Sequence, residues 1–202
     1  MSADARTLAC YAARAGEYSD LVSRDEPDAD LRAFMAALPP GGRVLDWGCG
    51  PGNSAAMLAG AGFVVEAADA SPEMAALAGR HGVPVRVETF EALEAEGRYD
   101  GIWANFSLLH APRDDLPGLI GRAARALRPG GVLHLGMKDV APDGRREGRD
   151  GIGRLYAYWT AEELSALCTA AGLEPGAPRH GEGAGLAGTV DPYVILRATK
   201  PA

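Results

Sequence analysis

The hydrophobic pattern alternates between two periods along most of the chain. Residues 4–18 carry Leu8, Tyr11, Ala12, Ala15 and Tyr18 at three- and four-residue spacing, which predicts an amphipathic helix. A second helix is expected over 29–38, ending at the breaker Pro39-Pro40-Gly41-Gly42. From there short apolar runs and helical stretches take turns. Strands are predicted at Arg43–Trp47, Phe63–Ala67, Val83–Val87, Tyr99–Ala104 and Val132–Met137.

The intervening helices carry recognisable starts and stops. A helix over 53–60 follows a glycine loop. Ser71-Pro72-Glu73 opens the next one, with a capping hydroxyl, a proline suited to the first helical position and an acid at the positive dipole end. The helix from Asp114 to Leu127 tolerates Pro117 in its first turn and stops at Arg128-Pro129-Gly130-Gly131. Thr160 and Glu163 have the spacing of a capping box, and that helix ends before Gly172. Pro192–Thr199 reads as a last strand pairing near 173–180, while 138–154 and 176–190 read as loops. Repeated β-α-β order predicts an α/β fold, a mostly parallel sheet with helices on both faces.

Composition narrows the function classes. The 202 residues suit one domain, with 1–38 as a helical cap and 40–200 as the core. A net charge of −7 and a pI near 5.1 give no electrostatic footprint for nucleic acid or an anionic membrane. Cys10, Cys49 and Cys168 are far apart, with neither CxxC nor Cys/His ligand spacing, so no metal is expected. Reduced thiols, the absence of a signal-peptide core and of any run approaching ~18 apolar residues lead to the expectation of a cytoplasmic protein.

The segment Val44-Leu45-Asp46-Trp47-Gly48-Cys49-Gly50-Pro51-Gly52-Asn53 carries most of the chemistry. Glycines at alternate positions between strand and helix let the backbone turn sharply and approach a ligand closely. The dinucleotide pattern G-x-G-x-x-G needs a third glycine where Asn53 stands, and no Gly-Lys-Ser/Thr follows for a P-loop. Asp46 at the ligand end of the strand would repel a pyrophosphate but suit an ammonium group. Its alternative role is to cap the loop through backbone amides.

This segment resembles the first motif of class I S-adenosylmethionine-dependent methyltransferases, of the small-molecule type, and further matches follow in family order over residues 40–200. The resemblance implies a three-layer α-β-α sandwich, a seven-stranded sheet whose last strand is antiparallel, and N-terminal helices over the cofactor site. It implies S-adenosylmethionine as cofactor, S-adenosylhomocysteine as product, no metal, and a small-molecule acceptor. The chain would act as a monomer or homodimer, without nucleic acid or membrane partners.

Asp69 lies 23 residues after Asp46, near the ~20-residue spacing at which an acid meets ribose hydroxyls. By resemblance Asp69 holds the ribose, Met74 packs on adenine, and Trp47, Gly48, Gly50, Ala70, Phe90 and Asn105 complete the cofactor set. An exposed loop acid and a plain core methionine are the alternatives. Glu88-Thr89-Phe90 lacks the acid usual in the family at that point. Asn105 is followed by Phe106-Ser107, unlike the Pro-Pro-Tyr or Pro-Pro-Phe of enzymes acting on nucleic-acid amino groups.

His110, just past the fourth strand, is the general-base candidate; a structural histidine opening the next helix is the other reading. The charged and aromatic stretch 138–158 resembles an acceptor-binding loop. Lys138, Arg149 and Arg154 are candidates for an acidic substrate group and Tyr156 for an apolar part; a solvated, ion-paired loop is the alternative. Tyr11 and Tyr18 either cover the site or belong to the core. Two other classes stand beside an active methyltransferase: a catalytically silent cofactor-binding module, and a nicotinamide oxidoreductase, which Asp46 and Asn53 disfavour.

Overall fold

The computed structural model of the protein describes residues 4–141 and 143–202. The first three residues of the expected cap, and Pro142 in the expected loop 138–154, lie outside the described residues. Elements follow in the order α1 (Ala5–Ala13), α2 (Ala15–Val22), α3 (Ala29–Ala36), β1 (Arg43–Trp47), α4 (Asn53–Gly60), β2 (Val64–Asp69), α5 (Pro72–Gly79), β3 (Val85–Val87) and β4 (Tyr99–Asn105). Then come α6 (Leu116–Ala126), β5 (Leu127–Lys138), β6 (Glu147–Arg149), β7 (Leu155–Ala157), α7 (Ala161–Ala170), β8 (Glu174–Pro175), β9 (Arg179–Ala184) and β10 (Val190–Thr199).

The main sheet runs β3-β2-β1-β4-β5-β10-β8, with β9 also pairing with β10. The first five are parallel neighbours, and β10 is antiparallel to β5, β8 and β9. The expected seven strands are present along this path. The eighth, β9, forms in a stretch expected to be loop, because its Arg-His-Gly-Glu-Gly-Ala composition carries no apolar alternation. Likewise β6 and β7 form a separate two-stranded sheet inside the expected 138–158 loop.

Side chains alternate across the sheet. Leu45, Trp47, Ile102 and Ala104 join Leu119, Ile120, Leu164 and Cys168 in the core beneath α6 and α7. Val44, Ala67 and Trp103 face the other way, onto Phe34, Ala55 and Leu58 of α3 and α4. Close approach of α3 requires a glycine in β4: a Cβ on Gly101 would sit 2.6 Å from the Phe34 ring.

Helix termini follow the sequence signals. Ser71 accepts from the Met74 amide at 3.3 Å. Thr160 and Glu163 close a reciprocal capping box at 3.3 and 3.0 Å. The long N-terminal helix is instead two, because Arg14 leaves helical geometry at φ −123°, ψ 25°. That break turns α2, and Tyr18 with it, toward the C-terminal ends of the parallel strands, where an open α/β sheet presents its crevice.

Candidate functional site

The β1–α4 loop turns on three left-handed glycines, Gly48, Gly50 and Gly52, at φ 81°, 54° and 87°. Gly48 has no room for a side chain: a Cβ would lie 2.4 Å from that of Ser107. Its amide and that of Cys49 both donate to the Ala68 carbonyl, at 2.8 and 3.0 Å. The loop is thereby tied to the end of β2 with its inner face left bare.

Two carboxylates flank it. Asp46 is 3% exposed, and its Oδ2 has no hydrogen-bond partner. Burial, reinforced by the nearby charge of Asp69, pushes its carboxyl up to about 7. A buried acceptor without a donor is costly unless a ligand supplies one. Asp69 accepts the Gly50 amide on Oδ2 and the Ser71 amide on Oδ1, each at 2.8 Å. Burial raises its pKa, against the pull of those two amides.

Three cavities meet in front of these acids. The first, about 80 Å³, is walled by Asp69, Ala70, Met74, Thr89 and Phe90, with α1 closing it through Thr7, Leu8 and Tyr11. The second, about 110 Å³, lies over Asp46, Gly48, Asn53, Trp103 and Asn105. The third, about 610 Å³, lies between α2, Asn105, Lys138, Arg154, Tyr156 and the β9–β10 turn. Tyr18 and Phe106 line all three; Tyr11 and His110 line the first and third.

Phe106 is the one non-glycine with positive φ (55°) among the described residues, which marks local strain where the cavities join. Its amide bonds to the Gly136 carbonyl at 2.9 Å, and its ring meets Tyr193 edge-on at 5.4 Å. Asn105 is held from behind. Its Oδ1 lies 3.1 Å from Nε2 of His134, whose ring stacks on Trp103 at 3.7 Å. Gly136 keeps that position clear, since a Cβ there would stand 2.4 Å from the same oxygen.

His110 sits at the centre of a chain of polar contacts. Nδ1 lies 2.7 Å from the Leu155 carbonyl and Nε2 lies 2.8 Å from the Tyr11 hydroxyl. A carbonyl only accepts, so Nδ1 carries the hydrogen and Nε2 accepts from Tyr11. Burial pushes the imidazole down to about 4, so the ring is neutral at physiological pH. Arg154 donates to the same tyrosine oxygen at 2.9 Å and pairs with Asp150 at 2.8 Å. Its side chain is only 2% exposed. Burial raises the Tyr11 pKa, so the hydroxyl keeps its proton.

One face of α1 is fastened to the β6–β7 segment. Asp4 pairs with Arg149 at 2.9 Å, the Thr7 hydroxyl accepts the Leu155 amide at 2.8 Å, and Cys10 donates to the Ile152 carbonyl at 2.9 Å. Tyr11 then meets Arg154 and His110, so the four contacts recur at helical spacing.

The structure thus brings most of the expected residues together and moves others. Asp46, Gly48, Gly50, Asp69, Ala70, Met74, Phe90 and Asn105 border the two smaller cavities. The Trp47 ring is buried in the core against Phe90, 5.4 Å away, and only its carbonyl reaches toward the site, accepting from Ser107 at 2.6 Å. Tyr11 and Tyr18 wall the cavities. Lys138 and Tyr156 line the large one, but Lys138 is paired with Asp191 at 2.6 Å. Arg149 is placed elsewhere: it is absent from the cavity walls and binds Asp4 and the Gly153 carbonyl. Phe106, Ser107 and Tyr193 were not foreseen. A phenylalanine in left-handed backbone has no sequence signal, and Tyr193 sits in an apolar strand without a pattern to single it out.

A family described as a methyltransferase domain matches residues 21–175. A ubiquinone biosynthesis O-methyltransferase of Xanthomonas oryzae pv. oryzae is 38% identical over 110 residues, 50% of this chain and 45% of the relative. A trans-aconitate 2-methyltransferase of Methylobacterium nodulans is 39% identical over 122 residues, 57% of this chain and 45% of the relative. The chain therefore matches somewhat less than half the length of these curated relatives. Among solved structures, the Burkholderia thailandensis 1,6-didemethyltoxoflavin-N1-methyltransferase, with bound 1,6-didemethyltoxoflavin and S-adenosylhomocysteine, superposes with a TM-score of 0.76. It shares 28% identity over 98% of this chain and 88% of that one. A methyltransferase from Methanosarcina mazei, at TM-score 0.73 and 19% identity over 87% and 99% of the two chains, shares the fold. The glycine loop, the acids around it, the sheet order and these matches agree: the chain belongs to the methyltransferase-domain family of S-adenosylmethionine-dependent enzymes with a Rossmann-like fold.

Proposed function

We propose that this protein transfers the methyl group of S-adenosylmethionine to a small-molecule acceptor by direct in-line displacement. The observation that carries this reading is the buried Asp46, whose Oδ2 lacks a partner among the described residues beside a loop of three left-handed glycines. When bound, the cofactor supplies an electrophilic methyl group on a sulfonium.

The residues present fit that cofactor. Asp46 receives the ammonium group of the amino-acid tail in the second cavity. Asp69 takes the ribose hydroxyls, since each of its oxygens has spent one lone pair on an amide and keeps another. Met74 and Phe90 flank the adenine in the first cavity, with Ala70 beside them. Gly48 and Gly50 line the approach, and Asn105 marks the passage toward the acceptor; Trp47 supports the loop from the core through its carbonyl bond to Ser107. No group of three or more His, Cys, Asp or Glu side chains among the described residues is placed to hold a metal.

The acceptor occupies the large cavity, whose volume of about 610 Å³ suits a small molecule. Tyr11 and His110 orient it: the neutral His110 accepts the tyrosine hydrogen on Nε2, which leaves the Tyr11 oxygen free to accept from an N–H or O–H of the acceptor. Holding nucleophile, methyl carbon and sulfur in line in a closed site supplies much of the acceleration.

The chain works as one domain, in the cytoplasm, as a monomer or homodimer and without nucleic acid. The acidic balance speaks against a nucleic-acid partner, and the three free cysteines suit a reducing compartment. Calorimetric titration with S-adenosylmethionine and S-adenosylhomocysteine tests the reading. Micromolar binding of both is expected; no binding of either at millimolar concentration overturns it.

A further inference from the structure

We infer that the acceptor is an uncharged, planar aromatic or heteroaromatic molecule, and that the cations around the large cavity are counterions of the protein's own carboxylates. This rests on the large cavity being the acceptor compartment of a methyltransferase.

Three cationic side chains line that cavity, and each is already neutralised. Lys138 pairs with Asp191 at 2.6 Å and Arg154 with Asp150 at 2.8 Å, while Arg24 pairs with Asp28 across the α2–α3 connection. The first two cations are nearly buried, with side chains 10% and 2% exposed. Redirecting Arg154 to a substrate carboxylate would strand the nearly buried Asp150, a loss as large as the gain, and redirecting Lys138 would leave Asp191 only the Thr189 hydroxyl. Arg154 has further obligations, since it donates to Tyr11 and to Asp150 through both Nε and Nη2.

The remaining charges of the wall point the same way. Asp30 is matched by Arg179, and Glu182 adds a carboxylate with no ion-pair partner among the described residues. His110 is neutral. The compartment therefore holds no unpaired cation among the described residues and leaves one carboxylate over, so an anionic acceptor finds no charge partner there.

What the cavity does offer is aromatic surface. Tyr11, Tyr18, Phe106, Tyr156 and Tyr193 all line it. Tyr11 and Tyr18 pack edge-on at 5.1 Å and Phe106 and Tyr193 at 5.4 Å, so ring faces and edges are fixed before a ligand arrives. Such walls suit a flat π-system, with a hydroxyl or ring N–H turned to donate to the Tyr11 oxygen.

The test is calorimetry on protein saturated with S-adenosylhomocysteine, using matched probes: catechol against 3,4-dihydroxybenzoate, and 4-hydroxyquinoline against its 2-carboxylate. The neutral member of each pair is expected to bind at least about tenfold more tightly. Asp191→Asn, which releases Lys138, is expected to narrow or reverse that ratio. Equal or tighter binding of the carboxylates to the unmodified protein overturns the inference, as does failure of all four probes to bind. If Asp191→Asn folds and leaves the ratio unchanged, the assignment of Lys138 as an internal counterion fails too. Failure of S-adenosylhomocysteine itself to bind would instead sink the methyltransferase reading, and the preceding titration separates the two.

Discussion

The Tyr11 hydroxyl lies 2.8 Å from Nε2 of His110, a contact that joins the N-terminal helix to the crevice end of β4. The Leu155 carbonyl fixes the histidine tautomer from the other side, so the hydrogen on the tyrosine points at the imidazole. Tyr11 therefore presents to the cavity an oxygen whose own hydrogen is committed to the imidazole, so it acts there as a hydrogen-bond acceptor. Tyr11→Phe and His110→Gln are each expected to lower turnover by roughly 10²-fold, with little change in S-adenosylhomocysteine affinity. Steady-state kinetics beside calorimetry separates the two effects.

The same histidine gives the fold an acid-sensitive element. Burial holds its pKa at about 4, below the ordinary 6.5. The unfolded chain thus binds the proton more readily between those values. The stabilising contribution is complete above pH 6.5 and is lost as pH falls toward 4, amounting to about 3 kcal/mol at most. Denaturant titrations over that range are expected to show a flatter pH dependence for His110→Gln than for the unmodified protein.

Asp46 behaves in the opposite sense. Its pKa is raised from 3.8 to about 7, so its favourable contribution to folding is complete below 3.8 and is lost as pH rises through 7. Above pH 7 the unliganded protein carries a buried charge with an empty acceptor site. Asp46→Asn is expected to raise the melting temperature of the ligand-free protein at pH 8 while weakening cofactor binding by about 10²-fold or more. For the unmodified protein, binding near pH 6 releases a proton, visible as a dependence of the calorimetric enthalpy on buffer.

Gly48→Ala places a methyl group 2.4 Å from the Ser107 Cβ and demands a left-handed alanine at φ 81°. A cost of about 1–3 kcal/mol in stability is expected, with loss of detectable cofactor binding. Thermal denaturation and titration of the same sample test both. Gly60, whose Cβ would meet nothing within 4 Å, is the control position.

Asp4 serves α1 twice, as the cap of its first turn and as the partner of Arg149. Arg149 holds the Asp4 carboxyl well below the usual range. Asp4→Ala is expected to cost about 1 kcal/mol and to accelerate S-adenosylhomocysteine dissociation, because α1 roofs the first cavity. Stopped-flow displacement measures the rate.

The sequence made the strand-and-helix order legible because each element carries a period and a cap, as at Ser71 and Thr160. The glycine loop and its two flanking carboxylates are legible for a related reason: Asp46, the glycines and Asp69 sit within one βαβ unit, where local geometry follows local sequence. The acceptor side assembles from α1, α2, the segment after β5 and the β9–β10 turn, and no local spacing encodes which charges meet. That is why the sequence could not show that Arg149, Lys138 and Arg154 pair with Asp4, Asp191 and Asp150. The break at Arg14 was equally hidden, since apolar periodicity runs on through it.

The fastening of α1 to the β6–β7 segment also bears on the order of events in a catalytic cycle. Tyr11 walls both the first and the third cavity, and Tyr18 walls all three. A movement of α1 that widens one of them therefore widens the other, which couples the two compartments of the proposed reaction. The kinetic signature of such a layout is a ternary-complex mechanism with intersecting double-reciprocal lines, in which release of the second product is governed by how fast the helix lets go.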